Sequence, residues 1–298
     1  MRARRAATPP SAVPAEGPRA RGALARMAPL AVTALYDEVA LFPKPGLVSF
    51  VDAGSHRDMD GQTFMRSLFA LRHYFPQMAV LGAQRQGFPA LEACGLAAER
   101  RMLAATQGVN THRGAIFSMG LLCAAAGAML ARDAAVSADA LRQALLDTWG
   151  DALTARCARR SGLPGGVAAH RHGLRSASEE AALGFPVLFT TTVPTLSTWL
   201  DRGASPETAR LQALMATMAV LDDCNLAHRG GREGLAHARN GATAFLAAGG
   251  MAHPAAMDTL RSMHTGFVAR RLSPGGSADM LAAACFVVRL VRGAGTGP

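Results

Sequence analysis

Apolar residues recur at helical spacing along most of the chain, and no long stretch alternates apolar with polar as a half-buried strand does. The pattern predicts helices over about residues 28–41, 62–80, 89–106, 113–131, 137–158, 176–183, 205–220, 230–248, 255–270 and 277–292. Thr111 is placed to cap the 113–131 helix, and Ser205-Pro206-Glu207 joins a cap, a first-turn proline and an acid behind it. Ser277 is expected to cap the last helix, with Asp279 inside its positive end. Gly249-Gly250 stops the 230–248 helix. The Thr-rich stretch 189–200 is broken by Pro194 and reads as helix or irregular chain, and 159–175 reads as the most flexible interior loop. The sum is an all-α chain, a single globular domain of about ten packed helices.

Five polar clusters punctuate this apolar pattern: 43–60, 108–114, 180–186, 222–231 and 272–280. Each sets Asp, Glu, His, Arg or Asn where a helix begins or ends. Together they predict one polar cleft lined by helix termini.

Half of the 298 residues are apolar and only 5% aromatic, enough for a large core rich in Ala and Leu. Lys44 is the single lysine. Half of the formal charge of +10 falls on residues 1–26, where six arginines face Glu16 alone among four prolines. That segment is expected to be a basic, disordered tail, with Met27 as an alternative start and the catalytic domain spanning 27–298. The charge balance suits anionic substrates, while nucleic-acid binding has no zinc-finger spacing or aromatic-basic interleaving behind it. No signal peptide is read, because proline follows the charged N-terminus. Five scattered cysteines without a CxxC pair fit a reducing cytoplasm. The apolar run 115–131 is shorter than a span, so no membrane partner is expected.

In the first cluster Lys44, held between Pro43 and Pro45, is a candidate phosphate contact, or a solvated turn lysine. His56, Asp58 and Asp60 follow, and one of the two acids serves equally well as a helix cap. Asn110, His112 and Arg113 open a helix whose first N–H groups form a natural anion site; the plain alternative is a cap beside a surface arginine. Glu180 is a candidate base or metal ligand, or part of a solvated helical face. Asp222 and Asp223 are read at the unfavourable end of a helix over 211–221, a cost that a hard cation would offset. Asn225, His228 and Arg229 follow them, the rival reading being an ordinary polar turn. Gly275, Gly276 and Ser277 precede a helix and offer N–H groups to a phosphate, and Asp279 is a metal candidate or a helix-start acid. The chain has no Walker, Rossmann or serine-hydrolase signature.

The stretches PKPGLV (43–48), GSHRDMD (54–60), GVNTHRGAIFSMG (108–120), EAALGFP (180–186), DDCNLAHRGG (222–231) and SPGGSADML (273–281) resemble, in order and spacing, the triphosphoribosyl-dephospho-CoA synthase family. The resemblance covers about residues 30–292. Departures at 49–56, at Cys224 and at 175–181 are closer to the malonate-decarboxylase branch than to the citrate-lyase branch, and blur the role of Arg175. The resemblance implies that ATP and 3′-dephospho-CoA give the 2′-(5″-triphosphoribosyl) adduct and adenine, a prosthetic-group precursor for an acyl carrier protein. It implies Mg²⁺ held by Asp222, Asp223 and Asp279, with help from Asp58 or Glu180. It implies catalytic work by Asp58, Glu180, Asp223 and His56. Lys44, Asn110, His112, Arg113, Asn225, His228, Arg229, Gly275, Gly276 and Ser277 are expected to hold the nucleotides. On this reading alanine at Asp223 abolishes activity and leaves the fold intact. Transient contact with the downstream transferase or carrier protein, and a homodimer, complete the expected partners. Two other classes stay open: an all-α Mg²⁺-dependent N-glycosidic hydrolase and a non-catalytic basic binding protein.

Overall fold

The computed structural model describes Gly22, residues 24–132 and residues 134–294. Most of the tail expected over 1–26 lies outside the described residues, but Leu24 is buried in the core, so ordered chain begins ahead of Met27. Thirteen α-helices are present among the described residues, and no strand. They are α1 (Met27–Ala40), α2 (Gly61–Leu71), α3 (Tyr74–Ala83), α4 (Phe88–Ala105), α5 (Arg113–Leu130), α6 (Ala138–Cys157), α7 (Pro164–His172), α8 (Ala177–Ala182), α9 (Val193–Asp201), α10 (Pro206–Val220), α11 (Cys224–Ala247), α12 (Ala256–Ala269) and α13 (Gly275–Ala294).

Helix α5 forms the axis of the domain. It packs against α3, α4, α6 and α13, and α13 packs in turn against α1, α9 and α10. The small residues of α5 explain its place. A Cβ on Gly127 would stand 1.9 Å from the Ala79 carbonyl oxygen of α3, and one on Gly82 of α3 would stand 1.9 Å from that of Ala124. The two backbones therefore touch, which larger side chains would prevent. By length and composition α5 suffices to cross a bilayer, yet 78% of it is buried within the protein.

Several boundaries differ from the sequence pattern for identifiable reasons. The helix expected over 62–80 is two helices parted at Arg72-His73. The loop expected over 159–175 contains α7, which Pro164 opens and Gly173 closes in the left-handed conformation. The Thr-rich stretch is a π-turn over Leu188–Thr192 running into α9. Ser205 caps α10 as expected, by accepting from the Thr208 N–H. Thr111 does not cap α5: Asn110 Oδ1 accepts the Arg113 N–H instead, and Thr111 Oγ1 is buried without a partner. Helix α11 starts six residues earlier than expected and bends at Gly231, whose φ of 63° suits glycine.

Candidate active site

The starts of α5, α11 and α13 meet, and Asp223 joins two of them. It is the N-cap of α11. Its Oδ1 accepts from the N–H groups of Asn225 (3.1 Å), Leu226 (3.3 Å) and Gly276 (3.3 Å). Its Oδ2 accepts from the Ser277 N–H (2.8 Å) and hydroxyl (2.9 Å). The expected cost to the helix dipole is therefore reversed: α10 ends at Val220, and Asp223 sits at the positive starts of α11 and α13. Ser277 lies inside the first turn of α13 and holds Asp223 rather than capping its own helix. Gly276 brings its bare α-carbon against the Asp223 carboxylate, and Gly275 does the same for the Asn225 amide. The N–H groups expected to cradle a phosphate here already serve Asp223. Even with five donors, burial pushes the Asp223 carboxyl above its usual range.

Asp279 fills the corresponding place at α5. A Cβ on Gly114 would lie 1.9 Å from Asp279 Oδ2, so only glycine admits this carboxyl. The Ala115 N–H is its one backbone donor. Burial, then the negative charges of Glu38 and Asp223, push its pKa well above the ordinary carboxyl range. The residue as a whole keeps some solvent exposure, while its carboxyl is enclosed by protein.

Glu38, on the last turns of α1, is buried and ion-paired to Lys44 at 2.5 Å. Lys44 Nζ also donates to the Glu38 carbonyl oxygen. Lys44 is fully buried, and desolvation lowers its pKa against the opposing pull of Glu38. His264 fastens the loop that carries it, with Nδ1 2.7 Å from the Lys44 carbonyl oxygen and Nε2 3.2 Å from Asp52. His112 is 3% exposed; its Nδ1 lies 2.6 Å from Ser67 Oγ, and its Nε2 has no partner. Burial, then the Lys44 charge, drives its pKa down to about 3, so the ring is neutral at neutral pH. Of the expected residues, Lys44, His112, Asp223, Gly276, Ser277 and Asp279 thus gather with Glu38 into one nearly closed polar cluster. Its half-buried rim is Gly114, Gly275, Gly276, Ala278 and Asp279.

Two further groups flank the cluster. His56 Nε2 lies 3.0 Å from Ser273 Oγ, while Arg229 reaches the His56 ring and the Ser55 carbonyl oxygen. Burial, then Arg229, lowers the His56 pKa to about 4. Asp58 stands 3.7 Å from His56 with a side chain 63% exposed. Asp60 is the helix cap of the pair, in a reciprocal capping box with Thr63 at the start of α2. On the other side, Asp222 accepts from Arg239 (2.6 Å) and from the Arg175 N–H (2.9 Å). Glu180 accepts from the Arg175 guanidinium (3.1 Å) and the Val187 N–H (2.7 Å). Arg113 is ion-paired with Glu99 at 2.6 Å, and Asn225, His228 and Arg229 are exposed.

No group of three or more acidic, His or Cys side chains among the described residues converges as a metal-holding set. Asp222 and Asp223 in particular give both oxygens to protein donors, so the expected shell of Asp222, Asp223 and Asp279 does not fit as a preformed cage. Two cavities of about 310 and 320 Å³ lie elsewhere and share no lining residue with the cluster.

Sequence reasoning passed over Glu38. The signal was present: Asp37-Glu38 puts two acids near the negative end of an apolar helix, just before Pro-Lys-Pro. The structure separates the two. Asp37 is neutralised by Arg210 (2.8 Å) and Arg289, whereas Glu38 faces Lys44 and Asp279.

Residues 24–297 match the CitG family profile, described as ATP:dephospho-CoA triphosphoribosyl transferase. The chain is also similar to a probable 2-(5″-triphosphoribosyl)-3′-dephosphocoenzyme-A synthase of Acinetobacter calcoaceticus, 37% identical over 261 residues that cover 88% of this chain and 89% of the relative. No solved structure matches it significantly. With a match over nearly its whole length and a relative this similar, the chain belongs to the CitG family and is a triphosphoribosyl-dephospho-CoA synthase-type enzyme.

Proposed function

We propose that the enzyme breaks the C1″–N9 glycosidic bond of ATP, joins C1″ to the ribose 2′-oxygen of 3′-dephospho-CoA, keeps the triphosphate intact and releases adenine. The observation that carries this reading is the water-poor cluster of Glu38, Asp279 and His112. Chemistry at a ribose carbon asks for carboxylates near a centre that gains positive charge, in surroundings where water does not compete. The triphosphate is left to side chains outside the cluster, the exposed Arg229 foremost, with the exposed His228 and the half-buried Arg113. Mg²⁺ is taken to enter with the triphosphate as the metal–nucleotide complex, since this ion keeps substrate phosphates and waters as ligands and needs few from protein. We further assign the product to the carrier protein of malonate decarboxylase, on the departures at 49–56, at Cys224 and at 175–181, and place the enzyme in the cytoplasm, in keeping with five free cysteines.

The test is incubation with ATP, Mg²⁺ and 3′-dephospho-CoA, following free adenine and product mass. Acceptor-dependent adenine release with three phosphates on the product is expected. Release without acceptor would make the enzyme a hydrolase, and ADP or AMP formation would overturn the mechanism.

A further inference from the structure

We propose that Glu38 is the carboxylate that takes the proton from the attacking 2′-hydroxyl, and that Lys44 is the positioning residue that aims it. The proposal rests on the transfer reaction above and assigns the base within it.

Apart from Asp279, the other acids expected at the site are spoken for. Asp223 gives its two oxygens to five donors. Both oxygens of Glu180 and both of Asp222 are also occupied. Asp58 is mostly in solvent, where a carboxylate is freely hydrated. Glu38 differs. Lys44 holds its Oε1, and the side chain is buried beside Asp279. Buried polar atoms are almost always paired. Here the Nε2 of His112 is buried without a partner, the Lys44 charge bears on that ring, and the sparsely paired Asp279 faces Glu38. Such a grouping is tolerated where a polar ligand completes it.

Lys44 suits positioning better than phosphate binding. Its ammonium is fully enclosed and grips both the carbonyl and a carboxylate oxygen of the same glutamate, which fixes the side-chain rotamer. Pro43, Pro45 and His264 hold the turn that carries it.

The step balances. The 2′-O–H proton passes to Glu38 Oε2 as the O2′–C1″ bond forms. The C1″–N9 bond breaks with its electron pair on adenine N9, and the departing base takes up one proton. No oxidant or reductant is required.

The decisive variant is Glu38→Gln combined with Lys44→Met, which removes both charges and leaves neither unpaired. A buried ion pair that serves only the fold tolerates neutral replacement. The proposal expects the double variant to melt near the wild-type temperature, with kcat for acceptor-dependent adenine release lowered by about 100-fold or more and both KM values within about threefold. Lys44→Met alone should lower kcat and leave KM unchanged. Turnover by the double variant within about threefold of wild type would overturn the proposal. Should the double variant not fold, Glu38→Ala with added formate decides: restored release supports the base role, and a folded protein without restoration overturns it. Failure of the wild-type protein to release adenine with acceptor would sink the underlying reaction instead, so the two failures are distinguishable.

Discussion

Asp223 and Asp279 flank the same helix start and lead opposite lives. Asp223 ties α11 to α13 through five donors, whereas Asp279, one turn along α13, has a single backbone donor and two carboxylates for neighbours. Both are enclosed, and burial raises both pKa values. The difference is in what compensates. Asp223 is satisfied by the fold, so its loss should appear first in stability. Asp279 is left largely uncompensated, as groups at reactive sites often are. A residue in a motif-rich cluster can therefore be structural while its neighbour is kept for substrate.

The largest effect that would sharpen this contrast is expected from Asp223→Ala. It orphans several buried N–H groups at two helix starts, each worth about 1–3 kcal/mol, so the variant should lose several kcal/mol and melt at least about 6 °C lower. Thermal denaturation measures it. This revises the expectation that alanine here spares the fold; an unchanged melting temperature would make Asp223 a site residue after all.

A second test uses pH. His112 has a folded pKa of about 3 against about 6.5 unfolded. Between those values the unfolded chain binds a proton that the folded chain refuses, so stability falls as pH falls from about 6.5 toward 3, by up to about 1.4 kcal/mol per unit. Urea midpoints at pH 7 and pH 5 should differ in that direction, and His112→Gln should flatten the slope. An equal slope in the variant would contradict the burial of a neutral ring.

The smallest effect separates the two acids of the first cluster. Asp60→Ala removes the α2 cap and should cost about 1 kcal/mol, while Asp58→Ala should leave the melting temperature unchanged. Equal effects would remove the distinction between cap and exposed carboxylate.

The helical architecture was legible because its signals are local. Ser205 and Pro206 mark the start of α10, and Gly249-Gly250 marks the stop that follows α11. Helix α7 was missed because Pro164, Gly165, Gly166 and Gly173 read as loop chemistry, though the first and last are helix boundary residues. The polar clusters did converge on helix starts. What fills those starts was not legible: Asp279 at α5 and Asp223 at α13 come from elsewhere in the chain and take places that the sequence pattern offers to phosphate. The sequence marks Lys44 but not its surroundings, because its partner Glu38 lies inside an apolar helix. Burial and pairing across many residues decide such roles, and local spacing does not carry them.

The most direct test is Asp279→Asn, with melting temperature and acceptor-dependent adenine release measured on one preparation. The account predicts a melting temperature at or above wild type, because the amide removes a negative charge that burial, Glu38 and Asp223 all oppose, together with release lowered by about 100-fold or more, because that charge is lost beside the ribose carbon. A variant that melts well below wild type yet keeps its turnover would show Asp279 to be another fastening of the fold, and would contradict the division between the two acids.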